Sequence, residues 1–283
     1  MQGPKALLEH QNHWKTDVGA WFPGERVVFR GKDLFHELQD MSWMELLLYG
    51  ITGRIPDETQ IRLFNGIWAL STSYPELRLW NNRIAALAGT ARSTASLGVS
   101  AGTAISEALI YGRRPDIRCI DFLHRTQKKL DAGHKLDELV TQELKKYRSV
   151  PGYGRPVVRT DERIQPIMRL AKELGLDNKP YISLAFEVEK TLLAGRWRLH
   201  INIASVLAAL AADQGFSPHE YYHSVVLSFS AGMFPCYQDA AHKKEGTLFP
   251  FPCSAIEYGG TNKRSWIGAP GSRGEKDLPQ KLS

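Results

Sequence analysis

The chain has 283 residues, of which 36 are Lys or Arg and 30 are Asp or Glu, so its formal net charge is +6. This length can bury a sizeable core, and 43% hydrophobic with 23% charged residues excludes collagen-like, coiled-coil and disordered classes. The positive charges are scattered rather than clustered in a stripe, so no nucleic-acid partner is expected.

Targeting and metal signals are not found in the sequence. The three cysteines, Cys119, Cys236 and Cys253, match no zinc-ligand spacing and are typical of reduced thiols, so we expect no metal site. The N-terminus lacks the apolar core of a signal peptide. No stretch approaches the ~20 apolar residues of a membrane span. The sequence therefore predicts a cytoplasmic protein without a membrane partner.

The first predicted elements are one strand and two capped helices. Residues 26–30 read as a short strand. Ser42 and Glu45 form a capping box at the start of a helix that ends at Gly53, and Asp57 or the residue after it starts the next helix. Apolar residues recur at spacings of three and four along most of the remaining chain, which predicts further helices.

The stretch from 80 to 111 is rich in Ala, Ser and Gly, so we expect it deep in a helix bundle, where small residues let backbones approach. Residues 113–116 are predicted to be a break. Helices are predicted to follow over 117–132, 135–148, 162–174, 180–194, 201–213 and 218–241. The tail from about Ile267 is predicted to be mobile.

A tight loop is predicted between two of these helices, formed by Val150, Pro151, Gly152, Tyr153 and Gly154. Glycines on both sides of an aromatic residue bring backbone N–H groups close to a ligand or to another chain segment. The sequence leaves both uses open.

Several segments together, in their order and spacing, resemble the citrate synthase family. They are residues 27–34, 46–50, 53–56, 150–154 with Arg159, Asp161 and Arg163, 186–190, 202–204, and 256–260 with Arg264. The match covers roughly residues 25–266. The short chain is similar in length to the citryl-CoA-lyase branch rather than to full-length synthases.

This resemblance implies an all-α, citrate-synthase-like two-domain helical fold, usually as a homodimer. The large domain is then expected over 1–108 and 206–283, with the small domain at 109–205. The family condenses an acyl-CoA with a 2-oxo acid, or runs the reverse cleavage. Two histidines and an aspartate carry that chemistry, and arginines bind the carboxylates.

The sequence departs from the family pattern at the residues that carry the chemistry. In the resemblance, Ala101 and Arg155 stand where the family has its two histidines, and Ala204 stands where it has the aspartate. Phe229 replaces an arginine, whereas Arg163 is retained. A methyl group can neither abstract a proton nor donate a hydrogen bond, so the family mechanism is not available here.

Two arginines are the predicted anion-binding groups. Arg155 and Arg163 could each bind a carboxylate or phosphate through two parallel hydrogen bonds. The structural alternative for Arg155 is a salt bridge to Asp161 or Glu162, and for Arg163 it is a solvated position on a helix.

Tyr153 and Asn202 complete the predicted substrate-binding set, although Tyr153 could equally plug the loop onto the small domain. The predicted catalytic candidates are Tyr74, His200 and Arg155. An arginine remains protonated and cannot shuttle protons, so Arg155 would act only through its charge. The alternative for His200 is a histidine satisfied by hydrogen bonds in the core.

Two functional hypotheses follow. The first is an enzyme of altered chemistry, forming or cleaving a carbon–carbon bond of a small anionic molecule such as a coenzyme A thioester, with no tightly bound cofactor. The second is a non-catalytic homologue that senses a ligand or forms a hetero-oligomer with an active paralogue. Neither hypothesis predicts citrate synthase activity.

Overall fold

The computed structural model describes residues 3–108, 112–155, 158–248 and 252–261. Contacts divide the chain into two units, Met1–Leu248 and Phe249–Ser283. In the second unit the described element is a 3-10 helix, Cys253–Ala255. Every element named below belongs to the first unit.

A small antiparallel sheet follows the first helix. The elements are α1 (Pro4–His10), β1 (Gly19–Phe22), β2 (Arg26–Phe29) and β3 (Lys32–Asp33), with sheet order β1-β2-β3. Trp21 pairs with Val27 and Val28 pairs with Asp33. The predicted strand is confirmed as β2, and its two neighbours were not predicted.

Six helices follow, and α2, α3 and α5 among them begin at a side-chain cap. They are α2 (Trp43–Thr52), α3 (Glu58–Ser71), α4 (Trp80–Thr90), α5 (Ala95–Ile105), α6 (Arg114–Asp131) and α7 (Leu136–Tyr147). The predicted capping box of Ser42 and Glu45 is present, and Gly53 ends α2 in the left-handed conformation at φ 71°. Asp57 caps α3 with Gln60 as its capping-box partner.

The remaining helices are α8 (Ile164–Glu173), α9 (Pro180–Ala194), α10 (Ile203–Asp213), α11 (Pro218–Val225) and α12 (Ser230–Ala241). The single helix predicted over 218–241 is wrong, because the chain breaks between α11 and α12. There the indole N–H of Trp68 donates to the carbonyl of Ser224 at 2.6 Å. The N–H of Ser228, which would bond to that carbonyl in a continuous helix, donates to the carbonyl of Val225 at 3.0 Å.

The core centres on α10, which is buried along most of its length and packs against α6 and α9. A second layer consists of α4, α5 and α12, where small residues allow the backbones to approach. A Cβ on Gly89 would lie 2.5 Å from the carbonyl oxygen of Tyr237. The small residues thus allow close packing, but the prediction that the whole stretch lies deep in the bundle is wrong for α5, where only Gly98 and Gly102 are buried.

The described elements are thus almost all helices, as the all-α prediction requires. The division into a large and a small domain stays a prediction. Arg264 and the tail from Ile267 lie outside the described residues. Across the described part of the chain, no helix is long and apolar enough to span a membrane, and no three His, Cys, Asp or Glu side chains cluster as metal ligands would.

Candidate functional site

A cavity of about 430 Å³ lies where the end of α3, the first turn of α6, the loop 150–154 and the start of α10 meet. Its lining includes five of the predicted site residues: Tyr74, Tyr153, Arg155, Arg163 and Asn202. The whole 150–154 loop contributes as well. The structure therefore brings together residues that are up to 128 positions apart in the sequence.

The 150–154 loop is held by the segment that precedes α10. An isolated antiparallel bridge joins it to Ile201. The N–H of Gly154 donates to the carbonyl of His200 at 2.6 Å, and the N–H of Asn202 donates to the carbonyl of Gly152 at 2.9 Å. The amide of Gly154 therefore serves another chain segment, which is the second of the two uses that the sequence left open.

Close packing fixes the same loop against α6 and α10. Gly152 has φ 83°, and a Cβ there would lie 2.6 Å from Cys119 Sγ and 2.7 Å from Ser205 Cβ. The buried Tyr153 hydroxyl donates to the carbonyl of Ala185 at 2.7 Å and accepts from Ser205 Oγ at 3.1 Å. Tyr153 thus plugs the loop into the core while it also lines the cavity.

The two predicted anion-binding arginines are paired with carboxylates of the chain. Arg163 donates from Nε and Nη2 to the two oxygens of Asp161, at 2.8 Å each. Arg155 Nη1 lies 2.6 Å from Glu162 Oε2, and Tyr74 donates to Glu162 Oε1 at 2.8 Å. The salt bridge considered for Arg155 is thus present, and Arg163 is not simply solvated.

These contacts set the protonation states at this edge of the cavity. Burial would raise the pKa of Asp161, but hydrogen bonds from Arg163 and from two main-chain N–H groups outweigh it and lower the pKa. The hydrogen bond from Arg155 lowers the pKa of Glu162 to about 2. Burial and the bond to Glu162 raise the pKa of Tyr74, so this phenol is a neutral donor rather than a base.

A second buried ion pair lies in the cavity wall and was missed by the sequence analysis. Arg113 Nη1 donates to Asp116 Oδ2 at 2.9 Å, and Nη2 donates to the Ser71 carbonyl at 3.0 Å and to Ser228 Oγ. The guanidinium carbon lies 3.5 Å from the ring centroid of Phe229. The segment predicted to be a break is therefore the first turn of α6. The only signal was an Arg–Asp pair spaced i,i+3 at a helix start.

Arg118, one turn further along α6, also lines the cavity and was not singled out from the sequence. Its guanidinium lies 5.1 Å from the ring centroid of Tyr147. Within the described ranges, no carboxylate forms a salt bridge with it, in contrast to Arg113, Arg155 and Arg163. It is thus a cation available to a ligand.

Other predicted residues fall in different places. His200 is not part of the cavity lining, and its Nδ1 lies 3.4 Å from Glu189 Oε1. Ala101 is exposed on α5 and is not among the lining residues, whereas Ala204 and Phe229 both line the cavity. Of the three catalytic candidates, Tyr74 and Arg155 therefore lie together in the cavity wall, and His200 does not.

The predicted citrate-synthase-like fold is confirmed by its similarity to solved structures of a citryl-CoA lyase, an ATP citrate lyase and a citrate synthase. Citryl-CoA lyase from Hydrogenobacter thermophilus superposes with a TM-score of 0.78 at 18% identity, over 90% of this chain and 97% of that one. ATP citrate lyase from Methanothrix soehngenii, in complex with citrate and coenzyme A, superposes with a TM-score of 0.70 at 16% identity, over 91% of this chain and 44% of that one. Citrate synthase from Pyrobaculum aerophilum superposes with a TM-score of 0.60 at 16% identity, over 81% of this chain and 56% of that one. No protein-family model and no curated protein matches the sequence.

Proposed function

We propose that the cavity binds a small anionic molecule of the coenzyme A thioester type and that the protein carries out altered carbon–carbon bond chemistry on it. The observation that carries this proposal is that the loop 150–154, Arg118 and Asn202 all line the same cavity. Proteins of the same fold, at 16–18% identity, include a citryl-CoA lyase and an ATP citrate lyase bound to citrate and coenzyme A.

The cavity wall is poorly suited to the reaction of a citrate synthase. Ala204 and Phe229 line it at the two positions where the resemblance implies a base and a carboxylate-binding arginine. Loss of a general base costs a factor of about 10²–10⁴ in rate. We therefore expect no measurable release of coenzyme A from acetyl-CoA and oxaloacetate. Turnover at ~1–10³ s⁻¹, the usual enzymatic range, would show that these positions are assigned wrongly.

The binding of a thioester is tested by calorimetric titration with acetyl-CoA, free coenzyme A and citrate. Substituting Arg118→Ala should lower the affinity for acetyl-CoA by a factor of about 10–100, which corresponds to the loss of one charge-assisted hydrogen bond. Arg114→Ala is the matched control, because this neighbouring arginine is exposed and does not line the cavity. Absence of binding to both coenzyme A compounds would end the proposal.

A non-catalytic homologue is the second candidate function. It is favoured by the internal pairing of Arg155 and Arg163, which leaves these guanidinium groups partly occupied before any ligand arrives. Such a protein would sense its ligand or form a complex with an active paralogue. Ligand binding without any turnover of the bound thioester would support this candidate over the enzyme.

A further inference from the structure

Two carboxylates line the cavity, and the protein holds them in opposite ways. Asp161 accepts hydrogen bonds from Arg163 Nε, Arg163 Nη2, the Arg163 N–H and the Ile203 N–H. Asp116 accepts a bond from Arg113 to Oδ2. In the described ranges of the chain, no hydrogen bond reaches Asp116 Oδ1. Both oxygens of Asp161 therefore accept hydrogen bonds, whereas Oδ1 of Asp116 accepts none from the described residues.

Arg113 fixes the position of the Asp116 carboxylate. The arginine is itself held by the Ser71 carbonyl, by Ser228 Oγ and by stacking on Phe229. Its side chain is only 4% exposed, and that of Asp116 is 10% exposed. A carboxylate held in this way lies in a defined place on the cavity wall without moving, which is the arrangement that proton transfer requires.

The environments of the two carboxylates shift their proton affinities in opposite directions. Burial raises the pKa of Asp116, and the charge and hydrogen bond of Arg113 oppose that shift without cancelling it. Hydrogen bonds lower the pKa of Asp161 despite its burial. Of the two carboxylates, Asp116 therefore has the greater affinity for a proton.

Other residues of the lining are poor proton acceptors. Arg155 stays protonated, the Tyr74 phenol already donates to Glu162, and Ala204 offers a methyl group. No histidine is found among the described residues that line the cavity. Asp116, whose Oδ1 accepts no hydrogen bond within the described ranges, is the carboxylate of this lining that is best able to take up a proton.

We propose that Asp116 is the proton-abstracting residue of the cavity, acting on the carbon next to the carbonyl of a bound acyl thioester. The C–H bond breaks and its proton forms an O–H bond with Asp116 Oδ1. The electron pair of the C–H bond enters the new C=C bond, and the thioester carbonyl oxygen takes the negative charge. The carboxyl proton exchanges with solvent, and return of a proton from the carboxyl to the carbon restores the thioester, so the step consumes no co-reactant. This inference rests on the proposed binding of a thioester.

The experiment measures the replacement of hydrogen by deuterium at the acyl carbon in D₂O. Acetyl-CoA and propionyl-CoA are incubated with the full chain, and the label is followed by NMR and mass spectrometry. We expect the wild-type protein to accelerate deuterium incorporation into at least one of them. Asp116→Asn should reduce this rate by a factor of about 10²–10⁴ while calorimetric affinity for the same thioester is kept.

Two further variants separate chemistry from folding. Asp121→Asn removes a half-exposed carboxylate of the same helix, paired with Arg125, and should leave incorporation unchanged. Asp116→Glu keeps the charge but displaces the carboxylate by one methylene, so its rate should also fall even if Asp116→Asn does not fold. Melting curves of all variants report whether the Arg113 pair has merely been lost as a structural contact.

The outcomes are distinct for the two proposals. Thioester binding by the wild-type protein without any deuterium incorporation overturns the role of Asp116 and leaves the binding function in place. Undiminished incorporation by folded Asp116→Asn or Asp116→Glu also overturns it. Failure of the wild-type protein to bind either thioester removes the proposed function, and the role of Asp116 with it.

Discussion

Arg163 has two roles in the structure, because it lines the cavity and also neutralises Asp161, whose side chain is fully buried. Substituting Arg163→Ala removes both side-chain hydrogen bonds to that carboxylate and leaves Arg155 Nε, at 3.9 Å, as its cationic partner, which should lower the free energy of unfolding by about 3 kcal/mol. Urea unfolding measures this loss. Arg163→Lys should recover only part of it, because an ammonium group cannot make the two parallel hydrogen bonds.

The same variants test the predicted contact of Arg163 with an anionic ligand. Calorimetric affinity for acetyl-CoA should fall by about 1.5–3 kcal/mol in Arg163→Ala. The exposed Arg159 provides the control, since Arg159→Ala should change neither stability nor affinity. Reduced stability with unchanged affinity would make Arg163 a purely structural residue.

Glu162 makes stability depend on pH at the acidic end. Its pKa in the folded chain is about 2, against an ordinary value of 4.5, chiefly through the hydrogen bond from Arg155. The folded pKa is the lower one, so the stabilisation is present above about 4.5 and is lost as pH falls towards 2. Glu162→Gln should therefore lower the melting temperature at neutral pH but not at pH 2.

The size of this effect is limited, because the Glu162 side chain is 61% exposed and solvent screens the pair. Glu187→Gln on α9, which removes an exposed carboxylate paired with Lys190, is the control for a generic loss of charge. Melting curves of Glu162→Gln and wild type that stay a constant distance apart from neutral pH to pH 2 would contradict the assignment.

At the scale of elements, the loop 150–154 depends on Gly152, where a side chain would be both strained and crowded. Gly152→Ala places a methyl group against Cys119 and Ser205 at φ 83°. Gly133 is a matched control, because it has φ 86° and a Cβ added there would meet no atom within 4 Å. Gly133→Ala should cost only about 1–2 kcal/mol of backbone strain.

Gly152→Ala should lower the free energy of unfolding by about 1–3 kcal/mol more than Gly133→Ala does, because the added methyl group would overpack the loop against α6 and α10. Equilibrium unfolding in urea gives both values. Equal losses in the two variants would mean that the loop shifts freely away from α10 and does not form a rigid wall of the cavity.

Helix ends were predictable where the chemistry is local. Ser42, Gly53 and Asp57 mark the ends of α2 and α3 because each of them satisfies backbone groups within its own turn. The break between α11 and α12 was not predictable, since it depends on Trp68, which lies 156 residues from the carbonyl that it binds. Contacts of that range leave no periodic pattern in the sequence.

The candidate site was predictable to the same extent. The glycines of the 150–154 loop and the neighbouring arginines form a short pattern, and they do line the cavity. Arg113 and Asp116 appear in the sequence as an ordinary polar turn. Their burial arises only when Ser71 and Phe229 close over them, and no local pattern shows that closure.

At the scale of the whole molecule, the exposed apolar side chains of α5 and α12 predict self-association. Leu97 and Ile105 on α5 are 66% and 44% exposed, and Phe234 on α12 is 49% exposed. Apolar surface of this kind is typical of an interface. We therefore expect a homodimer in sedimentation, and Leu97→Glu should convert it to a monomer at micromolar concentration.

Leu8→Glu is the control for this prediction, because Leu8 on α1 is 68% exposed but lies on another element. A wild-type chain that sediments as a monomer would contradict the homodimer. Addition of an active paralogue would then show whether the same face instead forms a hetero-oligomer.

The bridge between the loop and Ile201 also determines when the cavity can form during synthesis of the chain. The side-chain amide of Asn202 donates to the Gly154 carbonyl at 2.9 Å, across a separation of 48 residues. The loop therefore leaves the ribosome well before the segment that holds it. Until residues 200–202 emerge, the Gly152 carbonyl and both backbone groups of Gly154 lack these partners, so the cavity is completed after α9 has been made.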